Sequence, residues 1–112
     1  MTKYLISFPA EAMQLSPEAF EAAGRDSRAV IAEAKAAGVY VFAAGLDTST
    51  EPRLVPPEGP ARGGTHPGSH LSGGFTILEL PDLAAAEHWA AKIARACRCA
   101  QEVRAFHYDP LT

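Results

Sequence analysis

Two histidines in a stretch rich in proline and glycine are the residues best suited to chemistry in this chain. His66 and His70 flank Pro-Gly-Ser, and imidazole can transfer protons near neutral pH or ligate a metal. Both are therefore candidate catalytic residues, and with Ser69 between them they form a candidate ligand-binding group. A catalytic metal usually takes three protein ligands, and no acidic residue or cysteine stands nearby, so we predict no metal. The alternative is a pair of exposed loop histidines without a shared role.

Ser27 and Asp47 complete the set of candidate ligand-binding residues. Ser27 falls on the inner stripe of the first predicted helix, where its hydroxyl could bind a ligand or bond back to a preceding carbonyl of the helix. Arg25 or Arg28, close to it in sequence, could bind a carboxylate if a cleft lies there. Asp47 begins a long loop and could act as a general base if it is partly buried.

Neither a cofactor nor a disulfide is predicted. Cys97 and Cys99 are separated by one residue, which is too close for an unstrained disulfide and differs from the spacing of redox and zinc motifs. Structural, reduced thiols are therefore expected. No glycine pattern has the spacing, lysine and following helix that a phosphate-binding loop needs.

The elements that must position these residues follow from hydrophobic periodicity and from start and stop signals. Ser16-Pro17 starts a helix that Gly38 ends, and Asp82 caps a second helix after a strand that Pro81 ends. The predicted strands cover residues 3–8, 39–46, 73–80 and about 101–107. The order strand, helix, strand, loop, strand, helix, strand predicts a ferredoxin-like α+β fold, the split βαβ arrangement.

The segment from Asp47 to Ser72 has no sustained helical or strand pattern. It holds five prolines and four glycines in 26 residues, and loops this long are usually functional or disordered. Leu54-Val55 and a few residues near His66 could form a short extra hairpin at an edge.

Two helices can cover only one face of a four-stranded sheet. The first two predicted strands carry apolar side chains on both faces, and an exposed apolar patch of this kind marks an interaction surface. A second copy is the simplest cover, so we predict a homodimer with the sheets packed face to face.

Composition limits the remaining possibilities. The 112 residues predict a single domain over 1–112. A net charge of −3 with scattered arginines and lysines lacks the basic patch of a nucleic-acid-binding protein. No segment approaches the ~20 apolar residues of a membrane span, and the N-terminus does not read as a signal peptide. We therefore expect a cytoplasmic protein that binds neither nucleic acid nor membranes.

Several segments together resemble the YCII-related family, in particular its DGPF-type branch. They are Lys3–Phe8, Leu15–Glu18, Ala36–Leu46, Gly73–Leu83 and Ala85–Ala90. The resemblance implies a dimeric α+β barrel type of assembly, with a small cleft beside the first helix and the variable loop. Relatives commonly carry a histidine where Ser27 stands, and no Asp-Gly-Pro-Phe occurs in this chain, so the family's ionisable pair is not carried over.

Two functions remain open at this point. The first is binding of a small polar molecule in a cleft between the first helix, the sheet and the 47–72 loop, with isomerase-like or lyase-like acid/base chemistry if the protein is an enzyme. The alternative is a non-catalytic dimeric module, regulatory or protein-binding. A cofactor-free oxygenase of the related dimeric barrel type shares the architecture but has no specific residue in its favour.

Overall fold

The computed structural model describes residues 1–112 as a four-stranded antiparallel sheet, a two-stranded hairpin and two helices. The bounds are β1 Thr2–Ser7, α1 Pro17–Ala36, β2 Tyr40–Gly45, β3 Arg53–Leu54, β4 Arg62–Gly63, β5 Gly74–Leu80, α2 Leu83–Cys97 and β6 Glu102–Ala105. A single 3-10 turn, Ala10–Ala12, lies between β1 and α1. The large sheet has the order β2-β5-β1-β6 with every neighbour antiparallel. This α+β arrangement is compatible with a ferredoxin-like fold.

Capping residues mark the ends of both helices. Ser16 Oγ accepts a hydrogen bond from Ala19 N at 3.1 Å, and Asp82 Oδ1 accepts one from Ala85 N at 2.9 Å. Each cap satisfies an amide that has no partner within the helix. Past the end of α1, Gly38 has a φ of +75°, a conformation that favours glycine. The C-cap of α2 is Arg98, which adopts the left-handed region without being glycine.

The core lies between the helices and one face of the sheet. Register pairs Tyr4 with Leu78 and Ile6 with both Thr76 and Val103, which sets these side chains on the face toward the helices. The helices contribute mainly small residues to this layer. The fully buried large side chains are Ile6, Leu78 and Leu80.

The structure differs from the sequence prediction in two local features. Helical spacing from Ser27 and from Ala86 predicts Phe20 and Leu83 on the inner stripes of their helices, but Phe20 is 62% exposed and Leu83 is 53% exposed. Both residues stand in the first turn of their helix. The last strand, Glu102–Ala105, is also shorter than predicted. The short extra hairpin forms where β3 pairs with β4, which ends close to His66 in sequence.

The second face of the sheet carries apolar side chains without cover. Phe42 and Phe75 contact each other with ring centroids 6.0 Å apart, and Val41 and Phe42 of β2 are exposed. The run of apolar residues in β2 predicts cover on both sides, and within one chain only one side has it. No helix of the chain has the length and apolar character needed to cross a membrane.

Candidate functional site

A cavity of about 530 Å³ opens between α1, the sheet and the segments that flank β1 and β5. Its volume lies in the range of small-molecule sites, which is roughly 300–1,000 Å³. Apolar side chains dominate the wall. The largest of them are Phe8, Met13, Phe20, Ile31, Leu46 and Ile93.

Burial divides the lining into a floor and a rim. The floor is formed by buried residues of both helices and the sheet, including Ala23, Thr76, Ile93 and Cys97. The rim is formed by exposed residues, namely Phe20, Arg28, Leu46 and Thr48. A ligand would therefore enter past Phe20 and Arg28 and extend toward α2.

Two adjacent glycines allow the chain to form one wall of the cavity. A Cβ at Gly73 would collide with the carbonyl oxygen of Phe8, and one at Gly74 would lie 3.0 Å from the Phe8 ring. Phe8 N also donates to Gly74 O at 3.2 Å. A pair of glycines in a strand suggests either a close backbone approach or a bulge; the structure shows the close approach, and it seats the Phe8 ring in the lining.

Ser27 lines the cavity, as its position on α1 predicts. Its hydroxyl donates to Gly24 O at 3.0 Å, so the proton is committed to the helix and only the oxygen lone pairs face other partners. Ser27 can therefore accept a hydrogen bond from a ligand. Another hydroxyl of the lining, Ser72 Oγ, accepts from Ala10 N at 2.9 Å and retains its own proton for donation.

Arg28 is the charged residue of the lining. Its guanidinium lies over Gly24, where Nη1 is 3.3 Å from the position that a Cβ would occupy. No carboxylate lies within ion-pair distance of Arg28, whereas the neighbouring Arg25 pairs with Glu21 at 3.5 Å and Asp26 pairs with Arg98 at 2.9 Å. The rim thus presents an uncompensated positive charge.

Gln101 lines the cavity, but its amide oxygen is closed off from it. Nε2 donates to Cys99 O at 3.3 Å, and Oε1 is buried without a hydrogen-bond partner. Because Oε1 has essentially no accessible surface, a ligand in the cavity cannot donate to it in this arrangement of the side chain.

Cys97 is the other titratable residue of the lining. Burial raises its pKa to about 11 from an ordinary value of 9.0, and the neighbouring Cys99 adds to the effect. The thiolate is the nucleophilic form of cysteine. Cys97 is therefore a neutral thiol at physiological pH and has the structural character expected from the sequence; both cysteines are free thiols.

Asp47 forms a turn outside the cavity lining. It accepts from Ser49 N at 2.9 Å, from Ser49 Oγ at 2.6 Å and from Thr50 Oγ1 at 3.1 Å. The hydrogen bonds from Ser49 and Thr50 lower the pKa of Asp47. An exposed carboxylate held in its charged form in this way is poorly suited to accept a proton, and its neighbour Thr48 lines the cavity in its place.

The histidine loop lies apart from the cavity. His66, Ser69 and His70 are all exposed, and none of them belongs to the lining. Ser69 N donates to the main-chain oxygen of His66 at 3.2 Å, around a turn in which Gly68 has a φ of +79°. No group of three or more His, Cys, Asp or Glu side chains has the arrangement of a metal site.

Of the five candidate residues, the structure therefore brings only Ser27 into the cavity. Gln101 could not be assigned to the lining from the sequence, because it is far from α1 along the chain and only packing brings it there. Arg28 could be suspected from its place beside Ser27.

No protein-family model matches the chain, and a search of curated proteins finds no similar sequence.

Proposed function

We propose that the protein binds a small molecule with a largely apolar body in the cavity beside α1. The observation that carries the proposal is the cavity of about 530 Å³ whose wall includes the rings of Phe8 and Phe20. Binding an apolar ligand against such a wall is favourable because it removes apolar surface from water. The few polar groups of the lining fix the orientation of the ligand. The apolar wall favours an amphipathic ligand over the small polar molecule expected from the sequence.

Binding is favoured over catalysis by the ionisable groups that the lining contains. They are Arg28, whose guanidinium has donors and no acceptor, and Cys97, whose pKa of about 11 keeps it a neutral thiol. General acid/base catalysis works best with a group that titrates near the working pH. Isomerase-like or lyase-like chemistry at His66 and His70 stays a prediction that requires the loop to approach a bound ligand.

The test is an NMR titration of the labelled protein with indole, a neutral aromatic probe. We expect amide shifts to concentrate on residues of the cavity wall. Ser27→Phe fills the cavity from α1 and should weaken binding by about tenfold or more, which is roughly 1.4 kcal/mol. The matched control is Ser69→Phe, the same substitution in the exposed loop, and it should leave the affinity unchanged.

Shifts confined to the open face of the sheet or to the 47–72 loop would contradict the proposal. So would equal affinities of the Ser27→Phe and Ser69→Phe variants. The dispersion of the amide spectrum of Ser27→Phe shows whether this variant folds. If it does not fold, the shifts of the unmodified protein still show where indole binds.

The uncovered sheet face favours a second property, assembly into a homodimer. Val41, Phe42 and Phe106 are 41%, 48% and 44% exposed, and register sets Phe42 beside Ile77. The charged residues of this face pair among themselves, Lys3 with Glu79 at 3.1 Å and Arg104 with Glu102 at 2.9 Å. A second copy would therefore meet little net charge. We propose the face-to-face dimer of the α+β barrel type, which would serve either a binding protein or a non-catalytic regulatory module.

The family and the compartment also stand as proposals. The resemblance to the YCII-related family stays a prediction. A cytoplasmic location agrees with the free thiols of Cys97 and Cys99, because reducing compartments keep thiols unpaired.

A further inference from the structure

We propose that the ligand is a neutral, largely apolar molecule with a hydroxyl at its buried end, and that Thr76 is the residue that selects this hydroxyl. Thr76 belongs to β5 and lies on the floor of the cavity. The inference rests on the proposed function and goes beyond it by naming the polar group of the ligand, its depth in the cavity and the side chain that binds it.

The Thr76 hydroxyl is buried but has no partner in the chain. Thr76 is 7% exposed, and its register partners Ile6 and Ala43 flank it on the two neighbouring strands. The hydroxyls of Ser27 and Ser72 form hydrogen bonds within the chain, whereas that of Thr76 forms none.

The surface that this hydroxyl retains opens to the cavity. Gln101 Oε1 is the one unpaired side-chain atom that packing closes off completely, so the Thr76 hydroxyl keeps some accessible surface. Neighbouring strands cover Thr76 on both sides, and the side chain lines the cavity between the sheet and α1. A ligand that reaches the floor can therefore form a hydrogen bond with Thr76.

An unpaired hydroxyl at the floor discriminates between ligands. Water can satisfy it while solvent enters the cavity, but a ligand that fills the cavity displaces this water. An apolar group above Thr76 would leave the hydroxyl without a partner, and an unpaired buried polar group is destabilising. A ligand with a hydrogen-bonding group at this depth avoids that cost, so the site should favour it over its apolar analogue.

The other residues of the floor favour a neutral hydroxyl. Ala23 and Ile93 are apolar, and the raised pKa of Cys97 keeps it a neutral thiol. A charged ligand group would lose its hydration here without meeting an opposite charge. Ser27 lines the same cavity, and its oxygen is free only to accept. A ligand hydroxyl can accept from Thr76 and donate to Ser27, whereas a carbonyl group can only accept.

The experiment measures the affinities of 4-methylphenol and toluene, which differ only in the hydroxyl, by NMR titration of the labelled protein. We expect 4-methylphenol to bind more tightly to the unmodified protein, and Thr76→Val to reduce the ratio of the two affinities by about tenfold. Valine keeps the branched shape of threonine and has a methyl group in place of the hydroxyl. In the unmodified protein, NOEs should connect the Thr76 methyl group with the ring protons ortho to the hydroxyl of 4-methylphenol.

Thr2→Val is the matched control, because Thr2 lies in β1 of the same sheet and outside the cavity lining. It should leave the ratio of affinities unchanged. The ratio is measured within one protein, so a general loss of stability in a variant does not mimic the result. If Thr76→Val does not fold, the unmodified protein still decides: toluene binding as tightly as 4-methylphenol, or NOEs from Thr76 to the methyl group of 4-methylphenol instead, would overturn the inference.

The outcomes separate the two proposals. If both probes shift the cavity residues and the ratio of affinities is the same in the unmodified protein, Thr76→Val and Thr2→Val, the role of Thr76 is wrong and the proposed function stands. If neither these probes nor indole shifts the cavity residues, the proposed function fails and the inference fails with it.

Discussion

Arg28 and Cys97 line the same cavity but differ in exposure. Arg28 lies at the rim in contact with water. Cys97 is 7% exposed and packs in the core between α2 and its neighbours, where the charged form of a thiol is disfavoured by desolvation. Arg28 therefore meets solvent at the entrance, and Cys97 contributes packing.

The burial of Cys97 predicts a stability change at alkaline pH. Its pKa is about 11 in the folded protein against an ordinary 9.0. Between these values the unfolded chain loses the thiol proton and the folded chain keeps it, so the free energy of unfolding falls as pH rises. Urea denaturation from about pH 8 to about pH 10.5 should show a steeper decline for the unmodified protein than for Cys97→Ala.

The comparison isolates the thiol because both proteins carry the same lysines and tyrosines. Cys97→Ala also removes packing, which lowers stability at every pH and leaves the slope as the informative quantity. Parallel pH profiles for the two proteins would show that the thiol does not stay protonated in the folded state.

At the scale of elements, β5 connects the cavity with the rest of the sheet. It pairs with both β1 and β2. The residue before its first residue, Gly73, packs closely against Phe8, which follows β1. Leu46 N donates to Gly73 O at 2.8 Å, so the same glycine also holds the end of β2. The position of the Phe8 wall therefore depends on the absence of a side chain at residue 73.

A methyl group at this position should weaken the fold. Gly73→Ala directs a Cβ against the Phe8 carbonyl oxygen, which is backbone and cannot rotate away. Overpacking of this kind costs about 1–3 kcal/mol, and urea denaturation measures it.

Gly45→Ala is the control, since its added Cβ meets nothing within 4 Å. Gly45 ends β2, and its replacement should be neutral or stabilise by up to about 1 kcal/mol. Equal losses of stability in Gly73→Ala and Gly45→Ala would contradict the role given to the contact with Phe8.

The molecule as a whole has a larger accessible surface than a compact monomer of its mass. Its accessible area is 7576 Å², while a folded monomer of this mass exposes about 5,900 Å². The principal extents are 45 × 42 × 20 Å, the shape of a slab in which a sheet and one layer of helices are stacked. The radius of gyration of 15.5 Å also exceeds the ~13 Å of a compact chain of about 100 residues.

A dimer through the open face would reduce this exposure. A stable interface buries about 800 Å² on each partner, and we expect a solution mass of twice the chain mass of 11.9 kDa at micromolar concentration. Phe42→Glu places a charge in the proposed interface and should give the mass of one chain in sedimentation or light scattering.

The control for this change is Val55→Glu in the 47–72 loop. Val55 is 69% exposed and lies outside the sheet, so the dimer mass should persist in that variant. A single-chain mass for the unmodified protein, or dissociation caused equally by both variants, would contradict the face-to-face dimer.

The sequence alone determined the elements, because their signals are local. Ser16 and Asp82 cap the helices that their sequence neighbours predict, and the Gly73-Gly74 pair predicts a close approach of the backbone or a bulge, of which the structure has the first. The alternation of β1 and the apolar run of β2 likewise predict a sheet with two apolar faces. In each case the controlling residues lie within a few positions of the feature that they control.

Tertiary structure alone decided which side chains meet. Helix packing and sheet register bring Ser27, Arg28 and Gln101 to one cavity although Gln101 is far from the other two in sequence. The turn around Gly68 leaves His66 and His70 in solvent. The chain order cannot reveal whether an acceptor stays unpaired or a cation finds a carboxylate, because both depend on every element packed around them.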